Sequence, residues 1–245
     1  MRFHVSKLMI STVMSLVTPV VGFAAPAVCE VTAADHLTPV IDLYTSEGCS
    51  SCPPADRWLS SLKGMPVVAQ AFHVAYWDYI GWKDRFAAPA FTVRQREIAA
   101  ANGLSGIYTP QLVRNGRDWP NWWLPHQTID FKAPSRAVIT LKKGEGADVF
   151  EARVTPNAGV AGWTAYWTVT EHNHSSSVKA GENAGETLKH DFVVRQYVDA
   201  GRYAGAQSLT FYAIAAQADH PRQINLVVSD IHTGETLQAV SLPCS

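Results

Sequence analysis

The chain has 245 residues, 17% charged and 47% hydrophobic, enough apolar material for a sizeable core and too much for a disordered chain. Its 20 basic and 21 acidic residues leave a formal charge of −1. With no Lys/Arg block, this composition argues against nucleic acid as a partner and against a basic membrane-binding face.

Residues 1–27 read as a signal peptide. Arg2 and Lys7 form a basic start, Leu8 to Phe23 is apolar apart from small polar residues and Pro19, and small residues follow. Gly22-Phe23-Ala24 and Ala25-Pro26-Ala27 both fit a cleavage site. The apolar run is short for a bilayer span, the alternative being an uncleaved anchor. Val28 before Cys29 excludes a lipoprotein. Cleavage removes two bases and no acid, so 18 basic residues then face 21 acidic ones and the charge becomes −3.

Pro39 to Thr45 is an apolar, β-rich run that ends at the turn-forming Ser46-Glu47-Gly48. Helical spacing follows at once: Ala55, Trp58, Leu59 and Leu62 form one stripe, with Gly64 as a stop. Pro53 and Pro54 fit only a first helical turn. A second buried strand spans Val67 to Val74, and Tyr76 to Trp82 is a loop rich in rings. A helix is predicted over Pro89 to Ala101, closed by Asn102-Gly103. Gly106 to Arg114 reads as a strand, and Asn115-Gly116 as a hairpin turn. After Pro125 the pattern changes to short β-rich runs between Gly, Asn and Asp turns: Ala137–Lys142, Asp148–Val154, Gly162–Glu171, Phe192–Val198, Ser208–Gln217 and Gln223–Ser229. The expected architecture is an α/β thioredoxin-like domain over residues 36–124, followed by an all-β, sandwich-like domain over 125–245.

Cys49-Ser50-Ser51-Cys52 opens the first helix. A thiol attacks a disulfide only as thiolate, and a helix N-terminus lowers its pKa. Cys49 is the expected nucleophile and Cys52 the thiol that resolves the mixed disulfide. The chain has no second Cys-x-x-Cys, so the usual zinc arrangement is not offered. Thr109-Pro110, opening a strand, is expected to be cis and to face the dithiol, with Thr109 available to a substrate strand.

Asp42, seven residues before Cys49, is either a buried acid that accepts the Cys52 proton or a solvated acid at a strand edge. His73 reads as a core histidine with a lesser prospect of reaching the site. Tyr76, Trp77 and Trp82 either wall a substrate groove or fill the core. Asp84 and Arg85 read as solvated charges, and Trp119, Trp122 and Trp123 as packing between the two domains. His172-Asn173-His174 has spacing that can bind metal, though a surface placement without a role is the plainer reading. Cys29 and Cys244, one near each end of the exported chain, are expected to form a structural disulfide, with free thiols or an intermolecular bond as alternatives.

The stretch from Ser46 to Asp56, SEGCSSCPPAD, resembles a family of bacterial secreted proteins of unknown function with a thioredoxin-like N-terminal part. Phe72 to Asp84 (FHVAYWDYIGWKD), Tyr108 to Gly116 (YTPQLVRNG) and Gly181 to Leu188 (GENAGETL) are similar to its other signatures. The resemblance spans about Pro39 to Ser241. It implies a thioredoxin-like fold and supplies no activity. Ala75 departs from it, standing where the resemblance leads one to expect an acid.

The function expected from these residues is thiol–disulfide exchange on exported proteins, in the periplasm or outside the cell. It needs no cofactor, works with an unknown redox partner, and involves no nucleic acid and no membrane insertion after signal removal. The rivals are a copper carrier using Cys49, Cys52 and His73, and an interaction module whose disulfide is only structural.

Overall fold

The computed structural model describes Met1 and residues 29–33, 35–125 and 129–243. The expected signal peptide, apart from Met1, and Cys244 lie outside the described residues. Among those described, no helix is long and apolar enough to cross a membrane.

β1 (Glu30–Ala33) is a short leading strand. β2 (Val40–Thr45) and β3 (Val68–His73) are buried at every position, Asp42, Gln70 and His73 included, as strands covered on both faces are. They pair in parallel, from Val40 opposite Val68 to Thr45 opposite His73. Between them α1 (Pro53–Ser60) sets Ala55 and Leu59 against Ile41 and Leu43 on one face of the sheet. A short 3-10 helix, Ala75–Ile80, leads towards α2 (Pro89–Ala101), which packs Phe91 with Tyr44 and Phe72 on the other face. β4 (Gln111–Arg114) runs antiparallel to β2 and turns into β5 (Arg117–Asp118). The turn is Asn115-Gly116, with φ of 52° and 81°, the left-handed pair that this dipeptide tolerates. A Cβ on Gly116 would lie 2.7 Å from the Gly234 carbonyl oxygen.

The second half contributes β6 (Ala137–Lys143), β7 (Val149–Pro156), β8 (Trp163–Glu171), β9 (His174–Ser177), β10 (Thr187–His190), β11 (Val193–Tyr203), β12 (Gln207–Tyr212), β13 (Arg222–Asp230) and β14 (Thr236–Leu242). Among the described residues three sheets form: β1-β6-β7-β12, the hairpin β10-β9, and an eight-stranded sheet ordered β14-β13-β8-β11-β3-β2-β4-β5. The four-stranded sheet covers β8, β13 and β14 through Ile139, Phe150, Trp163, Trp167, Phe211 and Leu226. Trp167 and Phe211 stack at 5.0 Å.

The eight-stranded sheet overturns the fold class expected from sequence. An α/β thioredoxin-like domain with an all-β domain behind it is not what forms: the chain is mostly β, in three sheets. The seam is β11, which lies antiparallel to β8 and parallel to β3, with Val193 opposite Ala71 and the Ala71 amide donating to the Phe192 carbonyl at 2.8 Å. An uncovered β3 edge would leave backbone donors and acceptors unpaired in an apolar setting, and a strand from 120 residues downstream fills it. Trp119 and Trp122 share a core cluster with Ile129, Phe131 and Phe192 from the second half of the chain. Both pack on Trp58 of α1, while Trp123 is 64% exposed.

Candidate functional site

Cys49 and Cys52 form a disulfide. A turn led by Ser46 delivers Cys49, and Cys52 caps α1, its carbonyl accepting the Ala55 and Asp56 amides. Both half-cystines are buried, at 1% and 0% exposure, while Ser50 and Ser51 between them are exposed. The cover comes from the loop joining β9 to β10. Asn183 Nδ2 donates to the carbonyls of Glu47 (2.8 Å) and Cys49 (3.1 Å), and the Ser50 amide donates to Glu182 Oε2 at 3.0 Å. That amide holds the exposed Glu182 carboxyl below its usual range.

The ring-rich segment flanks the disulfide. Trp77 and Ile80 press on Gly48, where a Cβ would meet Trp77 Cβ at 3.1 Å and Ile80 Cδ1 at 3.0 Å, so that any larger residue displaces one of these side chains. Trp77 Nε1 donates to Thr109 Oγ1 at 2.8 Å, and the Thr109-Pro110 bond is cis. The loop before it is anchored by Gln95 Nε2 donating to the Tyr108 carbonyl and by Tyr108 Oη donating to Asp118. Tyr76 is half-buried against the α2-side core, and Trp82 donates its indole N–H to Glu47 Oε2 at 2.7 Å. Trp77 thus links Gly48, the neighbour of Cys49, to Thr109, and Trp82 reaches the same turn through Glu47.

Asp42 does not take the role of proton acceptor beneath the dithiol. Alternation along β2 turns it to the face opposite Ile41, Leu43 and α1. There Arg94 Nη2 (2.8 Å) and Gln70 Nε2 (2.9 Å) hold its carboxylate. Burial raises its pKa and the Arg94 charge opposes that. Nor is it a solvated acid, at 3% exposure.

The acids near the disulfide are others. His73, fully buried at the end of β3, points Nδ1 at Asp84 Oδ2, 2.7 Å away. Asp84, read from sequence as solvated, is 1% exposed and also accepts the Glu47 and Phe86 amides. Burial raises its pKa, and the His73 charge and these hydrogen bonds outweigh that, leaving it at about 2. His190, the last residue of β10, lies with Nε2 3.3 Å from Glu47 Oε1 and Nδ1 3.7 Å from Asp56 Oδ1. These are ion-pair distances without hydrogen-bond geometry, and Glu47 Oε1, His73 Nε2 and both His190 nitrogens have no hydrogen-bond partner. Burial would depress the His190 pKa; the Asp56 and Glu47 carboxylates prevail and raise it to about 9. Asp56 Oδ2 accepts from Thr45 Oγ1 at 2.9 Å.

Sequence reasoning missed Glu47, Asp56, Asp84, Asn183 and His190 as site residues. The first four stand inside the motifs that carry the family resemblance, a signal that could have flagged them; His190 had none. The His-x-His does not form a metal pair. His172 turns to Asp191 at 3.5 Å, while the buried His174 meets Glu171 at 2.9 Å and stacks on His220. Cys29 is disulfide-bonded; its expected partner Cys244 lies outside the described residues.

Comparison with known proteins adds a family and a fold. The family model described as "Protein of unknown function (DUF1223)" matches residues 40–229. Curated proteins yield no match. Among solved structures, a structural-genomics protein from Agrobacterium tumefaciens is 21% identical, with a TM-score of 0.64 over 87% of this chain and 97% of its own. HBP35 of Porphyromonas gingivalis is 14% identical, with a TM-score of 0.58 over 85% of this chain and 75% of its own. At such identities the likeness is one of fold.

Proposed function

Because the chain belongs to the DUF1223 family of proteins of unknown function, we propose from its site that it is an exported thiol–disulfide exchange protein acting through Cys49 and Cys52. The observation that carries this reading is a disulfide closed at the first turn of α1, with Cys52 at the cap position. In the reduced protein the amide-rich end of that helix favours thiolate over thiol.

The exchange balances without a cofactor. The Cys49 thiolate attacks one sulfur of a substrate disulfide, forming a mixed disulfide and expelling the other substrate sulfur as thiolate. The Cys52 thiolate then attacks Cys49 Sγ, releasing the second substrate thiol and closing Cys49–Cys52. Two electrons pass to the substrate, and the reverse sequence oxidises a dithiol. In this reading Trp77 and Thr109 border the substrate, and Asn183 and Glu182 hold the covering loop, which withdraws to admit it.

The deciding measurement is the reduction potential of the Cys49–Cys52 pair against a glutathione buffer, with turnover of a model protein disulfide. A potential within the range of known exchangers, about −120 to −270 mV, with turnover abolished in Cys49→Ser, is the expected result. A bond below about −300 mV with no turnover marks it as structural and rejects the proposal.

A further inference from the structure

The polar cluster at the first turn of α1 has a composition that exchange chemistry does not need. Asp56, His73 and His190 each offer a ligand atom, and these atoms lie within 4.8 Å of one another in buried positions. Buried polar atoms are almost always partnered, yet Glu47 Oε1, His73 Nε2, His190 Nδ1 and His190 Nε2 all lack a hydrogen bond here.

The pattern of what is satisfied and what is not has a direction. A carboxylate can only accept, so the His73–Asp84 contact puts a proton on His73 Nδ1, and in the neutral ring Nε2 then carries the lone pair. Likewise Glu47 Oε1 takes the Nε2 side of His190, leaving Nδ1 towards Asp56 Oδ1. Asp56 is itself oriented by Thr45 Oγ1 on its other oxygen. Two of the three inner groups are thus held from behind by a hydrogen bond, His73 by Asp84 and Asp56 by Thr45, and Glu47 stands behind His190 at an ion-pair distance of 3.3 Å. A carboxylate behind a ligating histidine is the outer arrangement that fixes the tautomer and raises the basicity of a metal ligand. A water could partner some of these atoms, but it does nothing for the charge: three buried carboxylates, Glu47, Asp56 and Asp84, face two imidazoles, so that one negative charge is left over even with both rings protonated.

We propose that His73 Nε2, His190 Nδ1 and Asp56 Oδ1 form a binding site for one divalent first-row transition-metal ion, zinc first, at the first turn of the helix that Cys52 caps and independent of the disulfide's thiols. Two imidazoles and one carboxylate suit zinc and leave the fourth position of a tetrahedral ion to a water. A cavity lined by Pro53, Asp56, Arg57, Leu188 and His190 opens onto two of the three ligands, Asp56 and His190. Asp56 and His73 come from α1 and β3 and His190 from β10, so the ion would tie the second half of the chain to the helix that bears Cys52. The site goes beyond the proposed exchange reaction and stands or falls separately from it.

The test uses the purified, disulfide-intact chain, freed of metal by a chelator and titrated with zinc under a competing chelator. Cobalt(II) serves as a spectroscopic stand-in. The expected result is one zinc per chain and cobalt visible bands without thiolate-to-metal charge transfer. Zinc affinity should fall at least tenfold in His190→Gln, and about 10–100-fold in Asp84→Asn. A Cys49→Ser/Cys52→Ser variant should bind as the parent does. The cobalt spectrum of the unmutated chain needs no variant to fold. Absence of saturable zinc uptake by the unmutated chain overturns the proposal. So does uptake unchanged in a folded His73→Gln/His190→Gln variant, or binding that appears only after reduction and is lost with Cys49.

Discussion

Asn183 and Cys49 are 134 residues apart in sequence and joined by one hydrogen bond, the Asn183 amide donating to the Cys49 carbonyl at 3.1 Å. A side chain from the β9–β10 loop thereby closes over a disulfide that the first half of the chain builds. Cys49 is 1% exposed under it.

If that loop is the cover, Asn183→Ala loosens it. The variant should lose about 1–3 kcal/mol of stability, because two carbonyls lose their buried donor. Dithiothreitol should reduce its Cys49–Cys52 bond several-fold faster at a temperature where both proteins are folded. An unchanged reduction rate beside a lowered melting temperature would assign Asn183 to packing alone.

The two cysteines should separate in function. Cys52→Ser should accumulate a mixed disulfide with a protein substrate through Cys49, since nothing resolves it, whereas Cys49→Ser should trap nothing. Alkylation of the reduced protein across a pH series should find Cys49 reacting below the ordinary thiol pKa of about 8.5, with Cys52 lagging. Equal, slow labelling of both at neutral pH contradicts the assignment.

Asp42 and Arg94 form a buried pair on the α2 face, 4% and 9% exposed in their side chains. Arg94→Ala strands a buried carboxylate and should cost about 3–5 kcal/mol, read by denaturant unfolding. Asp42→Asn should leave the exchange rate within about twofold at any temperature where it is folded. A tenfold loss of exchange with an intact fold would return Asp42 to the catalytic machinery.

Mass mapping of the unreduced protein should recover Cys29 and Cys244 in one disulfide-linked peptide. The bond would close a loop of roughly 200 residues, for which chain entropy gives about 4–5 kcal/mol, less any native strain. Cys29→Ser/Cys244→Ser should therefore melt lower while keeping exchange through Cys49 and Cys52. Finding the two in separate, alkylatable peptides contradicts the pairing.

The amino-acid sequence by itself determined the local elements. Largely apolar, β-rich runs specified β2 and β3, a stripe after Pro53-Pro54 specified α1, and Asn115-Gly116 specified its left-handed turn. It also determined that Cys49 and Cys52 meet at a helix start, because three residues of chain cannot carry them far apart. Only the tertiary structure decided that β11 completes the sheet beside β3, since a pairing across 120 residues leaves no trace in local periodicity. That pairing set the fold class, and the β9–β10 hairpin just before it carries His190 to Asp56 and His73. Burial likewise decided the acids. Nothing in the spacing of Asp42 and Asp84 distinguishes the one held by Arg94 from the one held by His73, because a charge is recruited by the partner the fold brings to it.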